Sequence, residues 1–466
     1  MCPIAEPDPG SFRDPTSRVY LSDDAVFRGL DAEALTDYEA LAATPFFVDA
    51  LAAGQVVATD LVTDGRPGGL EAWAGVLRHE RIPVISYPYE WSFEMLRDAA
   101  RLQLDLVAAA LEQDFTTKDA SAYNVQFVGS SPRFIDVGSF ERLREGEPWY
   151  GYRQFHMHFL LPLMLQAHRG IAFQNLLRAD VEGVNPIDAR RMMSRWDLWC
   201  PWRSGTLLHV AGMAGAERAT SSRDVKSELK RAGMNKAIVV GQVKKLRKLV
   251  DKLSIGKGDT EWGGYSDRSH YTDVDLKAKE DFVSSVAADV KPKVAWDLGA
   301  NDGHFSRLVA DHGAYVIAAD GDHEAIDGLY RNLRADGDER ILPLVLNLAD
   351  PSPDRGWRSK ERLAFTERSK PELTLALALI HHLCISRNVP LQEFVDFLAD
   401  AGGQLVVEFP TPEDPMVQGL VRNKREGIHD DYTVVNFEAA LGQRYDIVRR
   451  QELPGGTRVC YHATLR

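Results

Sequence analysis

The chain has 466 residues, 44% of them hydrophobic and 26% charged, so it is long enough for two or three globular domains and its composition argues against disorder. Its net charge of −13 argues against a surface devoted to nucleic acid, and its four scattered cysteines suggest neither a disulfide framework nor a structural zinc site. The N-terminal sequence lacks signal-peptide features, and no apolar run approaches the ~18 residues of a membrane span, so a cytoplasmic protein without membrane contact is expected.

Residues 1–205 form the first predicted domain, and its recognisable chemistry lies in one short stretch. Asn124 follows Asp119 by five positions, and an Asp136-Val-Gly138 strand end comes shortly afterwards. This spacing resembles the catalytic loop and the metal-binding strand end of kinase-like proteins. The resemblance implies an α+β kinase-like domain at the N-terminus.

The same stretch departs from the kinase pattern in ways that bear on activity. Lys118 is the first lysine of the chain, so no upstream lysine can hold nucleotide phosphates, and no glycine-rich loop precedes it. Arg28 could substitute, although a guanidinium is not interchangeable with a lysine ammonium. The prediction is a kinase-like domain whose phosphotransfer activity is in question. A structural domain with coincidental Asp/Asn spacing is the alternative.

Residues 206–258 are predicted to form a basic helical linker. Between positions 223 and 252 the chain carries ten lysines and arginines against three acids, together with a partial apolar stripe. Charge runs of this kind usually face water, which favours a solvated connecting helix. Contact with a partner or a polyanion is the alternative interpretation.

Residues 259–466 form the third predicted segment, in which short apolar strands alternate with amphipathic helices as in a doubly wound α/β domain. The last two strands are separated by Pro454-Gly-Gly456, which leaves no room for a crossover helix, so this pair must be an antiparallel hairpin. Strands are expected at 294–298, 315–319, 342–347, 373–379, 405–409, 445–450 and 458–464.

A glycine-containing loop follows the first of these strands. Asp297 ends the strand, and Gly299, Asn301 and Gly303 form the turn into the next helix. A dinucleotide site would require glycines at relative positions one, three and six, where this chain has Gly299, Asn301 and His304. The dinucleotide interpretation therefore fails at two of its three positions.

The loop instead resembles motif I of class I S-adenosylmethionine-dependent methyltransferases. Together with the C-terminal hairpin, the resemblance implies a seven-stranded Rossmann-like sheet that binds S-adenosyl-L-methionine. In that resemblance Asp297 meets the ammonium group, and Asp320 binds the ribose at the spacing expected in such folds. Asn347 and Leu348 would lie at the adenine, and Tyr271 belongs to a segment similar to a lid whose aromatic rings could attract the sulfonium. An ordinary domain-entry helix packed by its aromatic residues is the alternative for that segment.

Two of these assignments have competitors in the sequence. Asp322 could replace Asp320 as the ribose ligand, or it could cap the helix predicted after it. Asn347 stands where the methyltransferase family usually has an acid, so Asp350 could take over the adenine contact.

The methyl acceptor is expected at the carboxyl edge of the sheet, where open α/β folds bind ligands. His381 and His382 follow the fourth strand, and one of them is expected to serve as a general base, with His381 slightly favoured over His382. Helix capping or packing is the alternative role for these histidines. Glu408 ends the fifth strand and could bind the acceptor or orient a histidine; otherwise it is an exposed strand-end acid. These three residues with His429, Asp430 and Asp431 lack diagnostic spacing for a metal, so no metal is expected.

The predicted function is methyl transfer from S-adenosylmethionine to an oxygen or nitrogen of a small molecule, sugar or peptide. The stretches 350–357 and 376–382 resemble a bacterial group of nodulation-protein-like methyltransferases, and that resemblance covers the whole chain. Net acidity argues against a nucleic-acid acceptor. A kinase-like phosphotransferase or nucleotide-binding regulator, with the methyltransferase domain as passenger, is the main alternative; a scaffold with a degenerate cofactor pocket is another.

Overall fold

The computed structural model describes residues 5–194, 235–255, 272–422 and 424–466. Within these ranges the chain forms two compact units. The first unit contains residues 5–127, 132–194, 235–255 and 354–362, and the second contains residues 128–131, 272–353, 363–422 and 424–466.

The first unit begins with a five-stranded antiparallel sheet in the order β1-β2-β3-β5-β4. Its strands are β1 (Glu6–Pro7), β2 (Ser17–Leu21), β3 (Ala25–Leu30), β4 (Thr59–Leu61) and β5 (Gly75–Glu80). Between β3 and β4 lie helices α1 (Ala32–Ala42) and α2 (Pro45–Ala52). Asp31 starts α1 because its side chain accepts the Ala34 backbone N–H.

A long helix, α3 (Phe93–Glu112), and a group of short elements complete the N-terminal part of the chain. Ser92 caps α3, and the apolar residues of this helix are buried. The elements that follow are β6 (Phe115–Thr117), β7 (Val125–Val128), β8 (Ser131–Phe134), β9 (Phe140–Arg142), α4 (Gly151–Phe155), α5 (Leu161–Arg169), α6 (Phe173–Ala179) and α7 (Pro186–Met192). Strand β6 pairs with β9 and β7 pairs with β8, which brings the stretch around Asp119 close to Asp136.

The described end of the basic segment is helix α8 (Lys236–Asp251), which packs along α3 in the first unit. Its apolar stripe is buried except for Ile238, and Lys236 and Arg247 form ion pairs with Asp114 and Asp105 at 2.7 and 2.9 Å. The remaining lysines of the helix and of its C-terminal cap, Lys244, Lys245, Lys248 and Lys252, are exposed. Positions 206–234 and 256–258 of the predicted linker lie outside the described residues.

The second unit is built on a seven-stranded sheet in the order β12-β11-β10-β13-β14-β16-β15. All neighbouring strands are parallel except β16, which runs antiparallel to both β14 and β15. The strands are β10 (Val294–Leu298), β11 (Tyr315–Asp320), β12 (Ile341–Val345), β13 (Leu373–Ala376), β14 (Gln404–Pro410), β15 (Tyr445–Glu452) and β16 (Arg458–Leu465). The predicted α/β class is confirmed.

Helices flank this sheet and bury their apolar faces against it. They are α9 (Asp273–Val290), α10 (His304–Ala310), α11 (His323–Asp336), α12 (Phe365–Arg368), α13 (Leu391–Ala401), α14 (Pro415–Val421) and α15 (Val434–Arg444). Strand β13 ends three residues earlier than its apolar sequence predicts, because Ala378 adopts a left-handed φ of 51° that turns the chain out of the sheet. Among the described residues, no helix combines the length and apolar character that crossing a membrane requires.

Candidate cofactor and acceptor site

The turn between β10 and α10 is held in conformations that favour glycine. Gly299 and Gly303 have φ angles of 82° and 75°, and Asn301 between them has a φ of 50°. A Cβ atom on Gly303 would lie 2.6 Å from the Leu329 Cδ1 atom of α11, so a side chain cannot be added without displacing that helix contact. The turn therefore presents bare backbone at the carboxyl edge of the sheet.

Asp320 ties this turn to the loop after the neighbouring strand. One carboxylate oxygen accepts the Asn301 backbone N–H at 2.9 Å, and the other accepts the Asp322 backbone N–H at 2.9 Å. Burial raises the pKa of Asp320 above its ordinary value. Because a carboxylate offers roughly four lone-pair sites, both oxygens keep capacity to accept from ligand hydroxyls.

The competing acid, Asp322, has a structural role in this arrangement. Its side chain caps α11 by accepting the backbone N–H groups of Glu324 at 2.8 Å and Ala325 at 3.2 Å. This is the capping role that the sequence left open, and it favours Asp320 as the ligand-binding acid.

Asp297 lies at the end of β10 and is only 2% exposed. Its Oδ2 atom accepts the Ser306 hydroxyl at 2.6 Å, so the first turn of α10 is bonded back to the strand. Burial raises the pKa of Asp297 to about 6, while the Ser306 hydrogen bond and the Lys279 charge act to lower it. Sequence reasoning missed Ser306. The signal that could have identified it is its position three residues after Gly303, in the first turn of the helix that follows the strand end.

The residues expected at the adenine lie in the loop after β12. Asn347 is exposed, and its side-chain oxygen accepts the Ala349 backbone N–H at 3.1 Å, which closes a local turn. Leu348 is half-buried, and Asp350 is exposed. Tyr271, with the rest of the predicted lid from 259 to 271, lies outside the described residues.

The two histidines follow β13 at the same edge, since Leu298 of β10 and Ala376 of β13 are paired in register. His381 is fully buried, whereas His382 is partly exposed at the start of a short π-helical stretch. Their ring centroids are 4.1 Å apart. Burial, together with the nearby positive charge of Arg458, lowers the pKa of His382 to about 4, so this ring is neutral at physiological pH.

Glu408 is fully buried, so the interpretation of an exposed strand-end acid is wrong. Its carboxylate pairs with Lys279 of α9 at 2.6 Å and with Arg458 of β16 at 3.3 Å, and Arg458 in turn pairs with Asp414 at 2.7 Å. We call these four residues the buried ion array. The cations that pair with Glu408 come from a separate helix and a separate strand. Its predicted position at a strand end could not reveal these long-range partners.

No cluster of three or more His, Cys, Asp or Glu side chains suited to a metal ion occurs in the described ranges. The sequence-derived group of His381, His382, Glu408, His429, Asp430 and Asp431 thus does not come together as a ligand set there.

The first unit has a separate polar cluster around Asp119. The Asn124 amide donates to Asp119 at 2.7 Å, and Arg28 of β3 pairs with Asp136 at 2.9 Å. Burial, reinforced by the negative charge of Asp136, raises the pKa of Asp119 to about 7. The side chain of Lys118 donates to the Gly138 carbonyl at 3.1 Å. The structure therefore brings together the residues that the kinase-like spacing singled out, and it places Arg28, the possible substitute for the missing lysine, beside Asp136.

Comparison with known proteins gives one relative that spans nearly the whole chain. Nodulation protein NoeA of Rhizobium meliloti (strain 1021) is 32% identical over 467 residues, covering 97% of this chain and 94% of NoeA. The O-antigen chain terminator bifunctional methyltransferase/kinase WbdD of Escherichia coli is 25% identical over 169 residues, or 35% of this chain and 22% of WbdD. The N-methyltransferase NodS from Bradyrhizobium japonicum WM9 covers 43% of this chain and 98% of its own at 12% identity and a TM-score of 0.31. No family model matches the sequence.

The geometry of the turn predicts opposite effects of alanine at two glycines. Gly303→Ala should lower the free energy of unfolding by about 1–3 kcal/mol, because alanine is strained at positive φ and clashes with Leu329. Gly328→Ala, inside α11 with open space around its Cβ position, should raise it by about 0.5–1 kcal/mol. Urea unfolding of the full chain measures both, and stabilisation by Gly303→Ala would contradict the described turn.

The buried ion array predicts a large difference between two lysines of α9. Lys279→Met should destabilise the chain by about 3 kcal/mol, because it removes one of the two cations that compensate a fully buried carboxylate. Lys277→Met should change stability little, since Lys277 pairs with Asp281 on the exposed surface. Equal urea midpoints for the two variants would contradict the burial of this ion pair.

Proposed function

The chain belongs to the family of nodulation protein NoeA, and from that premise we propose that it transfers a methyl group from S-adenosylmethionine to an oxygen or nitrogen atom of a small-molecule, sugar or peptide acceptor. The observation that carries the proposal is the joint arrangement of the glycine turn and Asp320. The backbone of a turn with two glycines lies beside a carboxylate with remaining acceptor capacity, and a nucleoside that carries both an amino-acid chain and a ribose diol complements both.

The residues present fit the parts of this cofactor. Asp320 would accept from the ribose hydroxyls, the backbone from Gly299 to Gly303 would face the amino-acid portion, and ionised Asp297 would attract its ammonium group. Asn347 and Leu348 would border the adenine, with the Asn347 amide exposed for hydrogen bonding. When bound, S-adenosylmethionine supplies the methyl group on a positively charged sulfur.

Burial favours His382 over His381 as the side chain that meets the acceptor. His381 is fully enclosed, whereas His382 keeps an exposed part and is neutral at physiological pH, so it can receive a proton. Glu408 is better assigned a positioning role than direct contact with the acceptor, because it lies between two buried cations. The site thus combines a cofactor-binding turn with a neutral base at one sheet edge.

Calorimetry with S-adenosylhomocysteine tests the proposal. Asp320→Ala should weaken binding at least about tenfold, because hydrogen bonds to a charged group are lost. Asp336→Ala, an exposed acid at the end of α11, should leave binding unchanged and serves as the matched control. Failure of the unaltered chain to bind either S-adenosylmethionine or S-adenosylhomocysteine would overturn the proposal.

The same binding should depend on pH through Asp297. A raised acid pKa means that the carboxylate is ionised above about pH 6, so affinity should be constant at higher pH and fall as pH drops through that value. Asp297→Asn should bind more weakly at high pH and lose this acid limb. If the affinity of Asp297→Asn falls with decreasing pH as it does in the unaltered chain, another group causes that fall.

A second candidate function is nucleotide binding by the first unit, and the Arg28–Asp136 ion pair is the observation that favours it. Arg28 projects from β3 toward the cluster of Asp119, Asn124 and Asp136, so a cation is present although the sequence lacks an upstream lysine. A guanidinium binds phosphate oxygens through its forked N–H groups. The cluster therefore offers both a phosphate-binding cation and acids suited to a phosphate-bound metal ion.

Binding of ATP with Mg²⁺ to the full chain tests this second function. Arg28→Ala should weaken binding by about tenfold or more, because a charge-assisted phosphate contact is lost. Arg78→Ala is the control, since Arg78 lies on the neighbouring strand β5 and is exposed. If ATP does not bind, or if both variants bind as the unaltered chain does, this assignment fails.

A further inference from the structure

The buried ion array joins elements that are distant in sequence. Lys279 comes from α9, Glu408 from β14, Arg458 from the start of β16, and Asp414 is the N-cap of α14. All four side chains are at most 5% exposed. Two cations alternate with two acids, so the array adds no net charge to the interior of the second unit.

The two cations of the array lie toward different parts of the site. The Lys279 ammonium is 4.7 Å from the ring centroid of Phe305, whose neighbour Ser306 donates to Asp297. The Arg458 end belongs to β16, which pairs with β14 beside the edge where the histidines follow β13. The array therefore extends from the cofactor acid toward the candidate base.

Building on the proposed function, we propose that the buried ion array is a positioning device that keeps Asp297 ionised and His382 neutral at the same pH. Lys279 acts on Asp297, and Arg458 acts on His382. The acid is then ready to attract the cofactor ammonium while the histidine is ready to receive a proton.

The direction of each effect follows from charge. A nearby cation favours the anionic form of an acid and the neutral form of a histidine, so one sign of charge serves both groups. Burial and the negative charges of Asp302 and Asp320 raise the pKa of Asp297, and the positive charge of Lys279 opposes them by lowering it. For His382, Arg458 acts in the same direction as burial and lowers its pKa.

Glu408 and Asp414 offset the free-energy cost of burying the two cations. An unpaired buried cation costs several kcal/mol, whereas a paired one with good geometry is maintained. Asp414 also accepts the Met416 backbone N–H and so fixes the start of α14. The acids hold the cations in place, and the cations set the charge states in the site.

The first test compares the pH dependence of S-adenosylhomocysteine binding in the unaltered chain and in the double variant Lys279→Met, Glu408→Gln. The double change avoids leaving Glu408 charged opposite an uncharged side chain, and glutamine still accepts from Arg458, so the chain should fold. Affinity should fall about fivefold near pH 6 and stay unchanged near pH 8, because Asp297 then takes up its proton at higher pH. Profiles that superimpose would overturn the proposal.

Lys279→Arg supplies the rescue, since it keeps the positive charge and should retain the unaltered pH profile. A loss of affinity that is equal at all pH values in the double variant would assign the array a merely structural role. If the unaltered chain does not bind S-adenosylhomocysteine at any pH, the proposed function fails, and that outcome is distinct from the failure of this inference.

The Arg458 end has its own measurement. In the double variant Arg458→Gln, Asp414→Asn, asparagine keeps the helix cap, so folding should be preserved. NMR titration of the imidazole signals should then show His382 protonating at higher pH than in the unaltered chain. An unchanged midpoint would remove His382 from the proposal.

Discussion

One carboxylate, that of Asp320, fixes the shape of the turn proposed to bind the cofactor. It accepts a backbone N–H from Asn301 in the turn after β10 and another from Asp322 after β11. The Gly299 and Ala300 N–H groups both point to the Ala319 carbonyl, which draws the turn toward the same strand. Because Asn301 is held at positive φ, the turn depends on these bonds for its stability. The acid proposed to bind ribose is thus also the acid that shapes the loop beside it.

The parts of the site that sequence could predict are those encoded over short distances. A strand end, a glycine turn and a helix start lie within ten positions, so Asp297, Gly299 and Gly303 are recognisable from local rules, and Asp320 follows at the spacing of one helix and one strand. The terminal hairpin is similarly local, because the turn residues at 454–456 leave only one connection. These features depend on few long-range contacts.

Glu408 shows why the rest could not be read from sequence. Its partners are 129 positions away at Lys279 and 50 positions away at Arg458, and only the folded sheet brings them together. An acid predicted at a strand end looks solvated when its partners are unknown, so exposure stood as the alternative interpretation, and that alternative is wrong. Arg28 shows the same limit in the first unit, because antiparallel pairing of β3 sets its direction toward Asp136. Long-range ion pairs are where local patterns carry the least information.

Burial at the histidines has two effects that act together in methyl transfer. Removing water lowers the proton affinity of His382, which makes it a weak base, and the same exclusion protects a sulfonium from competing nucleophiles. In the proposed role of general base, His382 must be neutral before reaction, since a protonated ring would repel a cationic cofactor and could accept no proton. Under the proposed function, the partly exposed position of His382 would let an acceptor reach it, whereas His381 is enclosed, with its ring centroid 4.1 Å from that of His382. The two histidines are adjacent in sequence and look equivalent there, but their different exposure supports different proposed roles.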